Sequence, residues 1–346
     1  MRLALLAAAL FTSFGAVVCG GQGATNGPAA RGPGDGSPTG PATAAPATAA
    51  ATIPATAATG PACTTFPGDL RVGQTVARTL TSSGGTREYR IHLPARAKPG
   101  GPAPLVLNWH GLGSNASAQE PYSGLVPVSD REGFVLVTPE GTGSPRGFAA
   151  FGRSLTADDV QLTRDLIETL ARELCIDTAR VYSTGMSNGA YMSSRLGCEL
   201  GDRIAAIAPV AGVYMPPGLT CKRAMPVLAF HGTDDAVVPF GGGLVLGVLP
   251  YVGAPDSTIA WAANNPSVRS MECDLIQTHN SALSEHVERR DLDGCAGVPV
   301  SLIVVRGGGH TWPGAIDVPT LGPTTHEISA AELIWTFFKD QRLPGP

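Results

Sequence analysis

The stretch Gly185-Met186-Ser187-Asn188-Gly189 constrains this chain more than any other. Upstream, Ala179-Arg180-Val181-Tyr182-Ser183 is short and rich in β-formers. Downstream, residues 188–200 mix small side chains with Met192 and Leu196 in a helix-compatible pattern. G-x-S-x-G at a strand-to-helix turn reads as a nucleophile elbow. The reason is steric. A serine on a strained turn needs neighbours without large side chains, because the helix packs close to the strand it follows. Such a turn lifts Oγ clear of the backbone, and the helix N-terminus favours negative charge developing beside it. Alone, the pentapeptide also fits a plain tight turn, since glycine and serine are common.

The surrounding pattern predicts a sheet of the type an elbow requires. Residues 71–80 and 87–93 read as strands around Ser82-Ser83-Gly84-Gly85, a hairpin-type turn. Residues 104–109 and 134–138 are further apolar strands. Thr156-Ala157-Asp158-Asp159 is a capping box opening a helix to about residue 174, with Val160, Thr163, Ile167, Leu170 and Leu174 on one face. Later apolar strands fall near 205–208, 226–230 and 300–305, with Pro209 expected to end the first of them. A last helix starts at Ser329, with Glu332 completing a second capping box and Trp335 and Phe338 facing inward. Continuous apolar strands alternating with helices imply an α/β class fold, a mostly parallel sheet with helices on both faces. Residues 241–295 break that rhythm and read as a surface insertion near the site.

The amino-terminal part has a different composition. Met1-Arg2 and the apolar run 3–18 fit a secretory signal, too short to span a membrane comfortably. Residues 1–20 are therefore expected to be a signal peptide. Cys19 leaves two readings open, a lipid anchor or removal with the signal; Val18 stands where a lipidation site prefers a small residue. Residues 21–62 are Gly, Ala, Thr and Pro in low complexity, unable to bury enough surface to offset ordering entropy, and read as a disordered tether. The catalytic domain is then 63–346. Seven cysteines suit an exported, oxidised protein, and setting aside Cys19 leaves six, consistent with three disulfides. Cys273 is expected to pair with Cys295. Of Cys175, Cys198 and Cys221, two are expected to pair and the third to meet Cys63. A formal charge of −4 without long basic runs gives no reason to expect nucleic acid as a partner.

Ligands of open α/β sheets bind at the carboxyl ends of the strands, and three more motifs fall there. The first strand of the set ends in His110-Gly111-Leu112-Gly113. Another ends in His231-Gly232-Thr233-Asp234-Asp235, and a third in Gly307-Gly308-Gly309-His310-Thr311-Trp312-Pro313-Gly314. Ser187, then an aspartate, then His310 is the chain order of α/β-hydrolase triads. A hydroxyl needs an imidazole to take its proton, and the imidazole needs a carboxylate to fix its tautomer. The glycine run 307–309 is expected to give His310 a flexible loop reaching over Ser187. The backbone N–H groups of Asn188 and Leu112 are the expected oxyanion donors. His110 and His231 read as braces for their loops, and His92, His279, His286 and His326 as surface residues. Trp312 is expected to wall the cleft.

Gly-Met-Ser-Asn-Gly-Ala, His-Gly-Thr-Asp-Asp with Val237-Val238-Pro239, and Gly-Gly-Gly-His-Thr-Trp-Pro-Gly resemble the polyhydroxybutyrate depolymerase-like esterases. Those group with the feruloyl and acetylxylan esterases of carbohydrate esterase family one. Asp158-Asp159-Val160 and Leu174-Cys175-Ile176-Asp177 add to the resemblance, which covers about residues 69–339 and is most specific at the histidine motif. It implies an α/β-hydrolase fold with Ser187 as nucleophile, His310 as base and Asp235, more than its neighbour Asp234, as the acid. Leu112 stands where the family often has cysteine, which alters the pocket wall and leaves a backbone donor in place.

The implied activity is hydrolysis of hydroxyalkanoate or hydroxycinnamate esters by an exported monomer. The partner is a small or polymeric ester, with no cofactor, no metal and no membrane-spanning segment. A prolyl-oligopeptidase-like peptidase shares the His-Gly-Thr-x-Asp segment but normally carries a large extra domain for which there is no room here. A catalytically silent binding module typically loses a triad member, and this sequence keeps all three.

Overall fold

Residues 63–151, 158–215, 221–263, 278–293 and 297–345 are described in the computed structural model of the chain. The chain divides into two units, Met1–Thr59 and Gly60–Pro346, and all described residues belong to the second. The expected signal and tether, the Cys273–Cys295 pairing and Thr156 lie outside the described residues.

The first hairpin joins β1 (Gln74–Ser82) to β2 (Gly85–Leu93) through Ser83 at φ 50° and Gly84 at φ 78°. Two successive left-handed residues supply the twist that a two-residue connection between antiparallel strands requires. β3 (Ala103–Trp109), β4 (Val135–Pro139), β5 (Ile176–Met186), β6 (Ala206–Val210), β7 (Val227–Gly232) and β12 (Val300–Val305) follow as apolar strands. With the short β8 (Gly243–Val245) and β9 (Leu249–Tyr251) forming a separate hairpin, and β10 (Thr278–Ala282) and β11 (Val287–Leu292) joining the large sheet, its order is β1-β2-β4-β3-β5-β6-β7-β12-β11-β10. The six strands from β4 to β12 run parallel to their neighbours, and the two strands at each end are antiparallel.

Side chains alternate across this sheet and build a core on each face. On β3, Leu105 and Leu107 enter one cluster and Val106 the other. On β7, Val227 and Ala229 oppose Leu228 and Phe230; on β12, Leu302 and Val304 oppose Ile303 and Val305. The period of two makes this division obligatory once both faces are covered. The helices α3 (Asp159–Leu174), α4 (Asn188–Glu199) and α5 (Ala254–Ala263) cover the first face. Asp158 caps α3 by accepting from the Gln161 N–H at 3.0 Å, and Val160, Thr163, Ile167, Leu170 and Leu174 are buried as their spacing requires. On the second face lie α2 (Leu125–Glu132) and α6 (Ala330–Phe338). Ser329 caps α6 through the Glu332 N–H, and Phe338 stacks on Tyr182 with ring centroids 4.7 Å apart, an arrangement worth about 1 kcal/mol beyond its buried area.

Three elements differ from the sequence reading. α1 (Ala116–Ser123) and α2 form a helix pair between β3 and β4 where no helix was expected. α1 buries Gln119 and Ser123, which bond Asn108 on β3 at 3.0 Å each, so it docks through polar contacts that leave no apolar stripe. Pro209 does not end β6 but lies within it, opposite Gly185 of β5. Its missing N–H faces β7: Ile207 and Ala211 donate to the carbonyls of Pro226 and Phe230, and the ladder skips the rung between. Residues 241–295 are not wholly a surface insertion. β11 pairs with β12 and carries β10 outside it, and Trp261 of α5 is buried with its indole N–H on the Tyr214 carbonyl at 3.0 Å.

Disulfides join Cys63 to Cys175 and Cys198 to Cys221. Cys175 sits between α3 and β5, and Cys198 is in the last turn of α4, so both bridges lie toward the amino ends of the parallel strands. This leaves the carboxyl ends to the loops after β3, β5, β7 and β12. Among the described residues no helix is long and apolar enough to cross a membrane.

Candidate active site

β5 ends at Met186 and α4 begins at Asn188, so the whole change of direction falls on Ser187, at φ 56° and ψ −117°. A serine held there stores roughly 1–3 kcal/mol, tolerated because its surroundings over-determine it. The Ser187 N–H donates to the Val210 carbonyl at 3.0 Å, and its carbonyl accepts from Tyr191 at 3.0 Å. Glycines at 185 and 189 let α4 close on β3. A Cβ at Gly185 would lie 2.5 Å from the Trp109 carbonyl oxygen, and one at Gly189 2.1 Å from it. The approach to the preceding strand argued from the pentapeptide is also present, since a Cβ at Gly185 would lie 2.8 Å from the Gly189 carbonyl, but the tighter contact is with the neighbouring strand β3.

Asp235 and His310 meet at the ends of β7 and β12, with His310 Nδ1 2.8 Å from Asp235 Oδ2. Both residues are buried. The other carboxylate oxygen accepts the backbone N–H groups of Val237 and Val238 at 2.9 and 2.7 Å. Burial opposes the charge on Asp235, but the hydrogen bonds and positive potential of His231 and His310 outweigh it and hold the carboxyl well below its usual range. An ionised Asp235 can only accept, so the proton of His310 sits on Nδ1 and Nε2 is left as the acceptor. Asp234 is exposed, and its Oδ1 accepts from the Thr233 hydroxyl.

His231 is buried behind this pair, its Nε2–H on the Val238 carbonyl at 2.8 Å and 3.4 Å from Asp235 Oδ2. It braces the turn that presents the carboxylate, as its position at a strand end suggested. The glycine run before His310 works by close packing, in place of the flexible loop expected. A Cβ on Gly232 would lie 2.1 Å from the Gly308 carbonyl oxygen. The loop is then pinned by the Gly309 N–H on the Pro323 carbonyl and the His310 N–H on that of Leu321, at 2.8 and 2.7 Å.

The loop after β3 lies against the serine. A Cβ at Gly111 would be 3.6 Å from Ser187 Cβ. His110 locks this loop: Nδ1–H donates to the Gly111 carbonyl at 2.8 Å and Nε2 accepts the Gly141 N–H at 2.9 Å. Burial pushes its pKa below the ordinary value of 6.5, against the pull of the Gly111 carbonyl, so the ring is neutral. The Gly113 N–H on the Arg146 carbonyl at 2.7 Å fixes the next residue but one. Leu112 and Asn188 are neighbours, since a Cβ on Gly147 would touch Leu112 Cδ1 at 2.8 Å and Asn188 Oδ1 at 3.1 Å.

Sequence reasoning missed what the Asn188 side chain does. Oδ1 accepts the Phe148 N–H at 2.7 Å and Nδ2 donates to the Phe148 carbonyl at 3.2 Å. Asp159 holds the next residue through the Ala149 N–H at 2.7 Å while paired with Arg87 at 2.7 Å. No motif marks residues 146–151, so only the polar residue after the serine hinted at a partner.

Two expectations are corrected. Trp312 does not wall the cleft: it is 1% exposed and packs in the second core cluster, because the residues after His310 turn inward beneath α6. His92 is not a surface residue but is buried, held by Thr75 at 3.0 Å and Asp130 at 2.9 Å; β2 is flanked on both sides, and these polar partners replace water. His279, His286 and His326 are exposed as expected. Among the described residues no group of three or more His, Cys, Asp and Glu side chains is placed to hold a metal ion.

The parallel sheet covered on both faces, with a serine elbow at the end of its central strand, defines an α/β-hydrolase. A solved acetyl xylan esterase from Aspergillus awamori has this fold at a TM-score of 0.54 and 13% identity, over 76% of this chain and 99% of that one. No family model matches the chain. Feruloyl esterase B of Piromyces equi is 32% identical over 235 residues, 65% of this chain and 42% of that protein. NocK of Nocardia uniformis subsp. tsuyamanensis, an esterase by its given name, is 30% identical over 289 residues, 75% of this chain and 80% of that protein. The chain belongs to the family of carboxylic ester hydrolases that NocK represents, and it is similar in sequence to feruloyl esterases.

Proposed function

We propose that this chain is an exported serine carboxylesterase that cleaves hydroxyalkanoate or hydroxycinnamate esters through an acyl-enzyme on Ser187. The observation that carries the reading is the buried His310–Asp235 hydrogen bond at 2.8 Å, set at the carboxyl ends of the parallel strands like the strained Ser187 turn. His310 Nε2 takes the proton of Ser187 Oγ as the oxygen attacks the ester carbonyl. Asp235 holds the ring in the needed tautomer and stabilises its cation. The N–H groups of Leu112 and Asn188 receive the oxyanion, assisted by the positive end of α4. His310 returns the proton to the leaving alcohol, and a water repeats the sequence on the acyl-enzyme. The two disulfides support an oxidising compartment, with residues 1–20 as signal, 21–62 as tether and the domain acting as a monomer. Ser187→Ala removes only the attacking oxygen, so ester turnover is expected to fall by about five to six orders of magnitude with unchanged unfolding. Retained hydrolysis of nitrophenyl acetate by Ser187→Ala would end this reading.

A further inference from the structure

We propose that His231 is a positioning residue of the reaction: its Nε2–H restrains the Asp235 carboxylate and limits how tightly that carboxylate holds a protonated His310. This role rests on the ester-hydrolysis reading above. Four donors converge on Asp235. Oδ1 takes the Val237 and Val238 N–H groups at 2.9 and 2.7 Å, while Oδ2 lies 2.8 Å from His310 Nδ1 and 3.4 Å from His231 Nε2. A carboxylate offers about four lone-pair sites, so every site has a donor. Burial opposes the charge on Asp235, and the contacts of both imidazoles outweigh it. Val238 closes a ring with the pair, because its carbonyl accepts from His231 Nε2 at 2.8 Å while its N–H holds Oδ1. His231 is thus tied to the carboxylate oxygen that orients the base.

The ring is fixed, and its tautomer with it. His231 is 1% exposed, lies nearly parallel to Tyr251 with ring centroids 6.3 Å apart, and meets Phe240 edge-on at 5.9 Å. Nε2 faces two acceptors, the Val238 carbonyl and Oδ2, so the proton sits there. Among the described residues Nδ1 has no hydrogen-bond partner, and a second proton on it would be buried unpaired. His231 therefore acts as a neutral donor. Removing that donor leaves the carboxylate charge to His310 alone, and an imidazolium beside a less compensated carboxylate keeps its proton to higher pH. The acid limb of turnover, where His310 becomes a free base, then moves up. Tyr191 of α4 and Tyr251 of β9 also feel the Asp235 charge, but burial raises both phenols well above their ordinary value of 10, and Asp234 on the same turn is exposed. The carboxylate and the two imidazoles are left to respond between pH 5 and 9.

The test is the pH profile of kcat/KM on nitrophenyl acetate from pH 5 to 9 in the wild type, His231→Leu and His231→Gln. Leucine fills the site without a donor, whereas the glutamine amide can place an N–H near the position of Nε2. His231→Leu is expected to move the acid limb up by about 0.5–1 pH unit, and His231→Gln to leave it within about 0.2. An unmoved limb in His231→Leu, or an equal shift in His231→Gln, overturns the proposal and leaves the esterase reading standing. Nitrogen-15 spectra of the histidine-labelled wild type decide the matter even where a variant fails to fold. His231 is expected to stay neutral with its proton on Nε2 across that pH range, and a cationic ring or a proton on Nδ1 overturns the proposal. A wild type that turns over no ester overturns both readings.

Discussion

Replacing Asp235 by asparagine should cost far more than its size suggests, and the hydrogen bonds say why. Oδ1 already accepts two backbone N–H groups, from Val237 and Val238 at 2.9 and 2.7 Å. An amide NH₂ there would face two donors and leave buried groups unpaired, at about 1–3 kcal/mol each. The amide oxygen therefore stays at the Oδ1 position, and the NH₂ takes the place of Oδ2, 2.8 Å from His310 Nδ1. His310 must then accept at Nδ1 and carry its proton on Nε2, where it can no longer take one from Ser187. By the proposed mechanism the loss in kcat is about 10⁴-fold, or about 5 kcal/mol of transition-state stabilisation. Asp234→Asn should change turnover by less than about threefold, a surface-scale effect, because that side chain is exposed and bonds only locally to Thr233. Initial rates on nitrophenyl acetate from pH 5 to 9 measure both. If Asp234→Asn were the damaging change, or Asp235→Asn stayed within tenfold of wild type, the tautomer argument would be wrong.

Two further outcomes follow from the frame around the serine. Gly189→Ala places a methyl 2.1 Å from the Trp109 carbonyl oxygen; since both partners are backbone, urea unfolding should show a loss of about 3 kcal/mol or more, and a loss under about 1 kcal/mol would mean that α4 can slide. His110 is neutral when folded because burial lowers its pKa from 6.5, so the unfolded chain alone gains a proton as pH falls below that value. Stability should then decline toward the folded pKa by up to about 1.4 kcal/mol per pH unit, a slope absent in His110→Asn; identical slopes in the two proteins between pH 7 and 5 would contradict this.

The parallel strands β3 to β7 and β12 were legible because they are continuous apolar runs, and both faces of the sheet had to be filled; β10 (THNSA) and β11 (VERRDL) were not, because they are polar. The turn at Ser187 was legible because its steric demand shows as glycines at fixed offsets. α1 was not, since it docks through Gln119 and Ser123 on Asn108, and polar docking leaves no period in the pattern. His92 looked like surface because its partners, Thr75 and Asp130, are remote in sequence. The choice of Asp235 over Asp234 came from family resemblance; the structure adds a reason, the burial of one and the exposure of the other. Trp312 was misplaced because two residues of loop can turn a side chain from cleft to core, and nothing local records the turn.

The close approaches of Gly189 to Trp109 and of Gly232 to Gly308 are contacts between main chains. A frame made of main chain cannot be retuned by exchanging side chains, since any Cβ at those points displaces the frame itself. Leu112 and Phe151, 42% and 48% exposed, are under no such restriction. Variation among descendants of such a chain is thus channelled: exposed side chains beside the frame can drift while the backbone around Ser187 and His310 stays in register. A library randomised at 112 and 151 should keep its stability, whereas one that includes 189 or 232 should return mostly unfolded protein.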